Sequence, residues 1–239
     1  MEKAVLITVI RHSYVNTYGC FVIYAKRQIM IKGEKNMAEL MTLLGGANDD
    51  LYTEIIKDNL ENRVLVLNED INESLLENYI LHILKWNRED RDIPIDRRKE
   101  ITIYINSPGG NSFDGFSLVD VITASTTPIR GICFGLAASM GYHILLSCHE
   151  RVAFKNSILL QHDGEITVSN TSSKAKDTMK FFDSMEQRTK AYVLSRTKMT
   201  EEFYDKVYDQ EYWMYAQEAK ELGCIDKIIG EDIELNDIL

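Results

Sequence analysis

The sequence predicts an α/β fold in which helices connect the strands of a largely parallel sheet. Three short apolar segments, at 63–68, 101–105 and 129–134, have the length and composition of buried strands. Segments with helical periodicity lie between them, at 72–86 and 113–124. Because strands that alternate with helices favour right-handed βαβ crossovers, we expect the strands to pair mainly in parallel.

Residues 1–36 differ in character from the rest of the chain. They alternate apolar and polar residues with no partner segment of the same type. The codons for Lys-Gly-Glu at 32–34 are compatible with a purine-rich ribosome-binding site shortly before an ATG at Met37. We therefore expect 1–36 to be an extension whose alternative start is Met37, followed by one domain over 37–239; a genuine strand-rich arm is the other interpretation.

The first helix follows the strand at 63–68, and its apolar residues recur at helical spacing. They are Leu75, Leu76, Tyr79, Ile80, Ile83 and Leu84. A charged loop at 88–99, which contains Pro94, then leads to the strand at 101–105. After the strand at 129–134 we expect a helix beginning after Ser139 and two further strands near Val152 and Ile158.

A long helix is predicted after His162. Thr-Ser-Ser at 171–173 offers an N-terminal cap, and the helical pattern then continues to about Thr197. Such a helix would be about 40 Å long, more than a domain of this size needs to cover its sheet. We expect it to contact another subunit; packing of Phe181, Phe182, Met185 and Tyr192 onto its own domain is the alternative.

Composition and charge exclude several classes of function. The 239 residues are 45% hydrophobic, enough for one sizeable core. The formal charge of −10, with no cluster of basic residues, argues against a nucleic-acid partner. No segment has the eighteen or so consecutive apolar residues of a membrane span, and the N-terminus is a poor signal peptide.

The four cysteines lack the spacing of metal ligands. They are Cys20, Cys133, Cys148 and Cys224. We expect reduced thiols in a cytoplasmic protein, with no metal and no cofactor.

Ser139 is the leading candidate for a nucleophile. It lies in the small-residue turn at 135–141, between an apolar strand and an apolar helix, which exposes a serine for attack. Upstream, Gly109 and Gly110 follow a strand and a proline, so their backbone N–H groups can approach a ligand closely, as in an oxyanion hole. Gly109-Gly110 as a simple tight turn is the alternative.

A histidine at the end of the strand near Ile158 supplies the candidate base. His162 lies where the loops of an open α/β sheet converge, and Glu211 is a candidate to orient it. His143, four residues after Ser139, is the competing base, although side chains of one helix seldom reach hydrogen-bonding geometry there. Asp163 and Asp209 are the alternatives to Glu211.

At these residues the chain resembles the proteolytic subunit of the Clp protease. The resemblance covers about 50–230 and rests on Tyr-Ile-Asn-Ser-Pro-Gly-Gly at 104–110, Ala-Ala-Ser-Met-Gly at 137–141, His162 and the segment 216–228. It implies a ClpP/crotonase-type fold of repeated ββα units with a protruding helical handle. By the resemblance, Ser139 is the nucleophile and His162 the base, while Glu211 stands at the position of the triad aspartate.

The resemblance also implies the rest of the machinery. The N–H groups of Gly110 and Met140 would form the oxyanion hole. An unfolded polypeptide would lie as an added strand beside the segment that follows the glycine pair, near 111–113, and the substrate-binding residues would be Gly109, Asn111, Ser112 and Phe113. Self-assembly into two heptameric rings, a homo-oligomeric tetradecamer, would enclose the sites. A separate AAA+ unfoldase would supply ATP hydrolysis, since the chain has no Gly-Lys-Ser/Thr phosphate loop.

Two departures from the family keep other functions open. Glu211 replaces an aspartate, and Gly164 stands two residues after His162 where the family has a proline. A catalytically weak or inactive structural subunit is therefore the alternative to a serine endopeptidase. An acyl-CoA enzyme of the crotonase type is a third interpretation, and the departures would also suit a viral homologue.

Overall fold

The computed structural model describes residues 48–238, so the prediction about residues 1–36 lies outside the described part. The described residues fall into two units that divide between Lys57 and Asp58. Helix α1 (Asn48–Glu61) begins in the first unit and ends in the second. The sheet and the candidate site belong to the second unit.

The elements after α1 alternate between strands and helices, as the sequence predicts. In chain order they are β1 (Val64–Leu67), a π-helical turn (Leu76–Ile80), α2 (Leu81–Glu89), β2 (Ile101–Ser107), α3 (Ser112–Ala124), β3 (Ile129–Ala138), α4 (Met140–Ser147), β4 (Glu150–Phe154), β5 (Ile158–Gln161), α5 (Ser172–Arg196), α6 (Glu201–Val207), β6 (Tyr212–Tyr215), α7 (Ala216–Glu221) and β7 (Lys227–Ile229). Short 3₁₀ turns lie at Ile95–Arg97 and Leu235–Asp237.

Within residues 48–238, seven strands form one sheet whose main path runs β1-β2-β3-β4-β7. Every pair on this path is parallel, and the β5–β6 pair is antiparallel. The first half of β3 pairs with β4 and its second half with β5. The prediction of an α/β fold with a largely parallel sheet is therefore confirmed.

The long strand β3 positions the site because it extends past its neighbours. The predicted strand ended at Phe134, whereas β3 continues to Ala138. Gly135, with φ of +100°, bends the strand, and the Asn106 side chain accepts the N–H of Leu136 at 3.2 Å. The extension delivers Ser139 to the edge where β2 and β5 also end.

The helices bury their apolar faces against the sheet in one main core. Leu67, Ile103, Ile105 and Leu145 are fully buried there. Helix α4 is buried along its whole length, and Arg196 of α5 donates to the carbonyls at its C-terminal end, that of Cys148 at 2.7 Å. The turn that carries Ser139 is therefore followed directly by a tightly packed helix, which holds it in place.

Helix α5 confirms the predicted long helix. It has 25 residues, about 38 Å at 1.5 Å per residue, and Val193 is its only fully buried residue. Thr171 is its N-cap residue, but its side chain makes no capping hydrogen bond. Phe181 is 55% exposed on this helix. Across residues 48–238, every helix is too short or too polar to span a lipid bilayer.

Candidate active site

Ser139 lies at the sharp turn where β3 ends and α4 begins. Its φ of 53° and ψ of −120° are rare for a residue with a side chain and mark stored backbone strain. The turn is fixed by the Ser139 N–H, which donates to the Leu160 carbonyl at 3.0 Å, and by its carbonyl, which accepts from the His143 N–H at 3.2 Å. This strand-turn-helix geometry is that of a nucleophile elbow.

The glycine pair packs directly against this turn. A Cβ on Gly109, whose φ is +101°, would lie 2.6 Å from the Ser139 Cβ and 3.0 Å from the Met140 nitrogen. Among the hydrogen bonds of residues 48–238, neither the Gly110 nor the Met140 N–H is a donor. Two unpaired backbone N–H groups beside a strained serine are what an oxyanion hole requires.

Ile71 and Ser107 hold the glycine loop in place, and the sequence analysis identified neither. The Ile71 N–H donates to the Gly109 carbonyl at 2.8 Å, and the Ile71 carbonyl accepts the Asn111 N–H at 2.8 Å. The Ser107 hydroxyl donates to the Glu69 carbonyl at 2.7 Å and accepts the Gly109 N–H at 3.2 Å. Ile71 is the single apolar residue in the polar segment 68–74, and this pattern could have indicated that it is buried.

For the peptidase activity that the resemblance implies, replacing Gly110 with alanine is expected to reduce the rate about 100- to 1,000-fold, the cost of one oxyanion donor. The reason is steric, because φ at Gly110 is +147° and a Cβ would lie 2.4 Å from the Ile71 carbonyl oxygen. Steady-state kinetics on a peptide substrate measures the effect. Gly164→Ala is the matched control, since a Cβ there meets nothing within 4 Å; equal losses in both variants would contradict the assignment.

His162 and Glu211 lie just beyond the paired ends of β5 and β6. The last pair of the antiparallel β5–β6 ladder is Gln161 with Tyr212, so His162 follows one member of this pair and Glu211 precedes the other. Leu160, which holds the Ser139 turn, is only two residues before His162. The three predicted site residues therefore lie at one edge of the sheet.

The hydrogen bonds of a catalytic triad are not formed in this conformation. Within residues 48–238, no hydrogen bond joins the side chains of Ser139, His162 and Glu211, and Glu211 Oε2 instead accepts from Trp213 Nε1 at 3.2 Å. Catalytic hydrogen bonds are often long before substrate binds. The Trp213 bond uses one of the two carboxylate oxygens of Glu211, so the other oxygen can still accept a hydrogen bond.

The two alternatives to Glu211 are carboxylates on the protein surface. Asp163 and Asp209 are both exposed. Burial, followed by the charge and hydrogen bond of Glu186, raises the pKa of Tyr208, and the charge of Asp163 acts in the same direction. Glu211 is the candidate that directly precedes β6, whose first residue pairs with the residue before His162.

The competing base, His143, is buried among aromatic rings. It is 8% exposed, and the rings of Phe116, Tyr142 and Tyr192 have centroids 5.9, 5.4 and 6.2 Å from its own. Burial, together with the nearby charge of His162, lowers the pKa of His143 to about 4. A base this weak accepts a proton from serine poorly.

The residues predicted to form a strand-like edge for substrate are only partly extended. Asn111 is the N-cap of α3, and its side chain accepts the N–H groups of Phe113 and Asp114. Ser112 and Phe113 lie in the first turn of α3, so their N–H groups point along the helix rather than sideways. The prediction of strand pairing beside Ser112 and Phe113 therefore disagrees with the backbone, which is extended only as far as Asn111.

Three of the four cysteines lie in the described part, and all three are buried and free. They are Cys133, Cys148 and Cys224. No group of three His, Cys, Asp or Glu side chains in residues 48–238 is arranged to hold a metal ion.

Comparison with known proteins points to one family. The family described as Clp protease matches residues 47–232. The ATP-dependent Clp protease proteolytic subunit 1 of Bacillus cereus is 28% identical over 190 residues, which cover 79% of this chain and 93% of that protein. The ATP-dependent Clp protease proteolytic subunit 2 of Bacillus licheniformis is also 28% identical over 190 residues, covering 79% of this chain and 95% of that protein.

A solved structure shares the fold. A single-residue mutant of ClpP1 from Listeria monocytogenes aligns with a TM-score of 0.65 and 22% identity, covering 77% of this chain and 99% of that one.

Proposed function

The chain belongs to the Clp protease family, and on that premise we propose that it is a serine endopeptidase that hydrolyses peptide bonds of unfolded polypeptides. The observation that carries the proposal is the contact between the glycine pair and the strained serine turn. At this contact Gly109 packs against the Ser139 Cβ and the Met140 nitrogen, and the N–H groups of Gly110 and Met140 donate to no other group within residues 48–238, which supports their role as the oxyanion hole.

In the proposed reaction the Ser139 hydroxyl attacks the carbonyl carbon of the scissile peptide. His162 takes the hydroxyl proton, and the N–H groups of Gly110 and Met140 donate to the oxyanion that develops. His162 then gives the proton to the leaving amine, and an acyl-enzyme remains on Ser139. Water, activated by His162, attacks the ester, which releases the carboxylate product and restores the serine.

Glu211 is proposed to orient His162 and to stabilise its protonated form. A glutamate side chain is one methylene longer than aspartate, so its backbone must sit farther from the histidine. Glu211 directly precedes β6, whose first residue, Tyr212, pairs with the residue before His162, and this placement is compatible with that reach. The hydrogen bond from Trp213 keeps the carboxylate near this position while His162 is free.

We place the enzyme in an assembly of two heptameric rings that encloses the sites. Helix α5 supports this, because it is about 38 Å long and Val193 is its only fully buried residue. The chain lacks a nucleotide-binding loop of its own, so a separate AAA+ unfoldase is proposed to deliver unfolded chains. Free buried thiols at Cys133, Cys148 and Cys224 support a cytoplasmic location.

The test is reaction with a fluorophosphonate, followed by intact-mass measurement of the assembled protein. One adduct per chain is expected in the wild type, and none in Ser139→Ala or His162→Ala. Such a probe reports the activated serine itself and does not require an unfoldase. Labelling of Ser139→Ala to the same extent would place the reactive group elsewhere.

The second candidate is a structural subunit of such an assembly with weak or absent catalysis. One observation favours it, namely that Trp213 and not His162 is the hydrogen-bond partner of Glu211. An assembled ring that forms no fluorophosphonate adduct, while a mixed assembly with a catalytic relative does, would select this function.

A further inference from the structure

Among residues 48–238, two buried side-chain polar atoms have no hydrogen-bond partner in the protein. They are Nδ1 of His143 and Nε2 of Gln161. His143 is 8% exposed and Gln161 is 2% exposed. Leaving a polar group unpaired in a dry interior is costly, so unpaired atoms of this kind in a folded protein call for a physical explanation.

Both residues adjoin the proposed catalytic side chains. His143 lies one helical turn after Ser139, and its N–H donates to the Ser139 carbonyl at 3.2 Å. Gln161 is the residue before His162 and the last residue of β5. Each unpaired atom therefore belongs to a residue that supports the backbone of one member of the Ser139–His162 pair.

Tyr142 connects the two residues. Its ring centroid is 5.4 Å from that of His143, and its hydroxyl donates to Gln161 Oε1 at 3.5 Å. The tyrosine is fully buried, and its hydroxyl also contacts the Cys224 sulfur at 3.4 Å. Tyr142 of α4 therefore contacts both residues, and the rings of Phe116 and Tyr192 pack near that of His143.

The two unpaired atoms are chemically complementary. The Gln161 amide nitrogen is a donor, and Nδ1 of a neutral histidine protonated at Nε2 is an acceptor. A water molecule can accept from the first and donate to the second. A buried water typically makes about three hydrogen bonds, and these two atoms would supply two of them.

We propose that His143 and Gln161 are positioning residues, joined by one bound water molecule, that hold His162 in register with the Ser139 turn. The water site links the second turn of α4 to the end of β5, and so fixes the separation of nucleophile and base. The residues act through the backbone of the catalytic pair and do not touch the substrate. The proposal rests on the proposed function of Ser139 and His162.

A double-mutant cycle tests the link. His143→Phe and Gln161→Leu each replace one polar side chain by an apolar side chain of similar size. We expect each to slow fluorophosphonate labelling about ten-fold, and the double variant to label no more slowly than the slower single variant. Peptide kinetics should show the loss in kcat with KM nearly unchanged. Single variants that label at the wild-type rate would overturn the proposal. A double variant slowed about 100-fold would also overturn it, because the two free-energy effects would then simply add.

Isosteric replacements identify the atom involved. Asparagine at 143 places a polar atom near the position of Nδ1, whereas glutamine places it near Nε2. We expect His143→Asn to retain labelling within about two-fold and His143→Gln to resemble His143→Phe. The reverse order would contradict the assignment to Nδ1. Ser147→Ala, which removes a buried hydroxyl that donates to its own helix at 2.6 Å, is the control and should label normally.

Two further measurements separate this inference from the proposed function. Thermal unfolding of the same three variants should show that their effects on the free energy of unfolding are also non-additive. This measurement does not depend on whether the wild type reacts with the fluorophosphonate. A high-resolution crystal structure should show one water molecule between Gln161 Nε2 and His143 Nδ1. A wild type that never labels would defeat the proposed function alone, whereas additive unfolding effects or direct contact without water would defeat the inference alone.

Discussion

Replacing Glu211 with glutamine is expected to lower kcat for peptide hydrolysis about 10⁴-fold and to leave KM nearly unchanged. An amide in this position would stabilise the wrong tautomer of His162. It would also leave unopposed the positive charge that the histidine acquires when it takes the serine proton. Both effects act in the transition state, so substrate binding should be preserved. The measurement is steady-state kinetics on an unstructured peptide.

Two neighbouring carboxylates provide matched controls for this prediction. Asp163→Asn and Asp209→Asn remove the same charge from exposed positions, and each should keep kcat within about two-fold, as expected for surface charges. If either control loses activity as severely as Glu211→Gln, the orienting role belongs to that residue. Glu211→Asp is the informative intermediate, because it keeps the charge but shortens the reach by one methylene.

Much of the site could be predicted from the sequence because its parts are local. The strained serine turn requires small residues between an apolar strand and an apolar helix, and 135–141 shows that pattern directly. The glycine pair after β2 is equally visible, since φ values of +101° and +147° are accessible chiefly to glycine. Such constraints act within a few residues and leave a clear compositional trace.

Features that depend on partners distant in sequence could not be predicted. The second half of β3 consists of Gly-Leu-Ala-Ala, which has low strand propensity, and it is extended because Leu136, Ala137 and Ala138 pair with β5. The hydrogen bonds of Ile71 to the glycine loop span nearly forty residues of chain, and no local pattern predicts them. Trp213 as the partner of Glu211 is a choice of side-chain rotamer, which only the folded environment decides.

The first helix shows how tertiary contacts modify a correct periodicity. Apolar spacing predicted one helix over 72–86, whereas the chain forms a π-helical turn at Leu76–Ile80 before α2. The wider turn coincides with Tyr79, whose buried hydroxyl donates to the Val66 carbonyl at 2.7 Å. Periodicity alone reports which face is buried, and it does not report where a turn widens to satisfy one buried group.

A buried ion pair beside the sheet gives the prediction with the largest expected effect on stability. Asp90 is 1% exposed and accepts hydrogen bonds from Arg63 at 2.6 and 2.9 Å and from the Thr127 hydroxyl at 2.8 Å. These contacts join the end of α2 to the residues that precede β1 and β3. Replacing Asp90 with alanine is expected to lower the free energy of unfolding by about 3–5 kcal/mol, because Arg63 then keeps a largely buried charge without its main partner.

The stability contributed by Asp90 should also depend on pH in one direction. The hydrogen bonds from Arg63 lower the pKa of Asp90 below its ordinary value of 3.8, although burial opposes them. A carboxyl group whose pKa is lowered by folding stabilises the protein above its unfolded-state pKa, and that stabilisation is lost as pH falls through the folded-state value. The difference in unfolding free energy between wild type and Asp90→Asn should therefore be constant near neutral pH and shrink below about pH 4. Urea unfolding at several pH values measures it, with Asp92→Asn, an exposed carboxylate, as control. A difference that grows on acidification would show that Asp90 takes up its proton more readily when folded, and the ion pair would then not be what stabilises this junction.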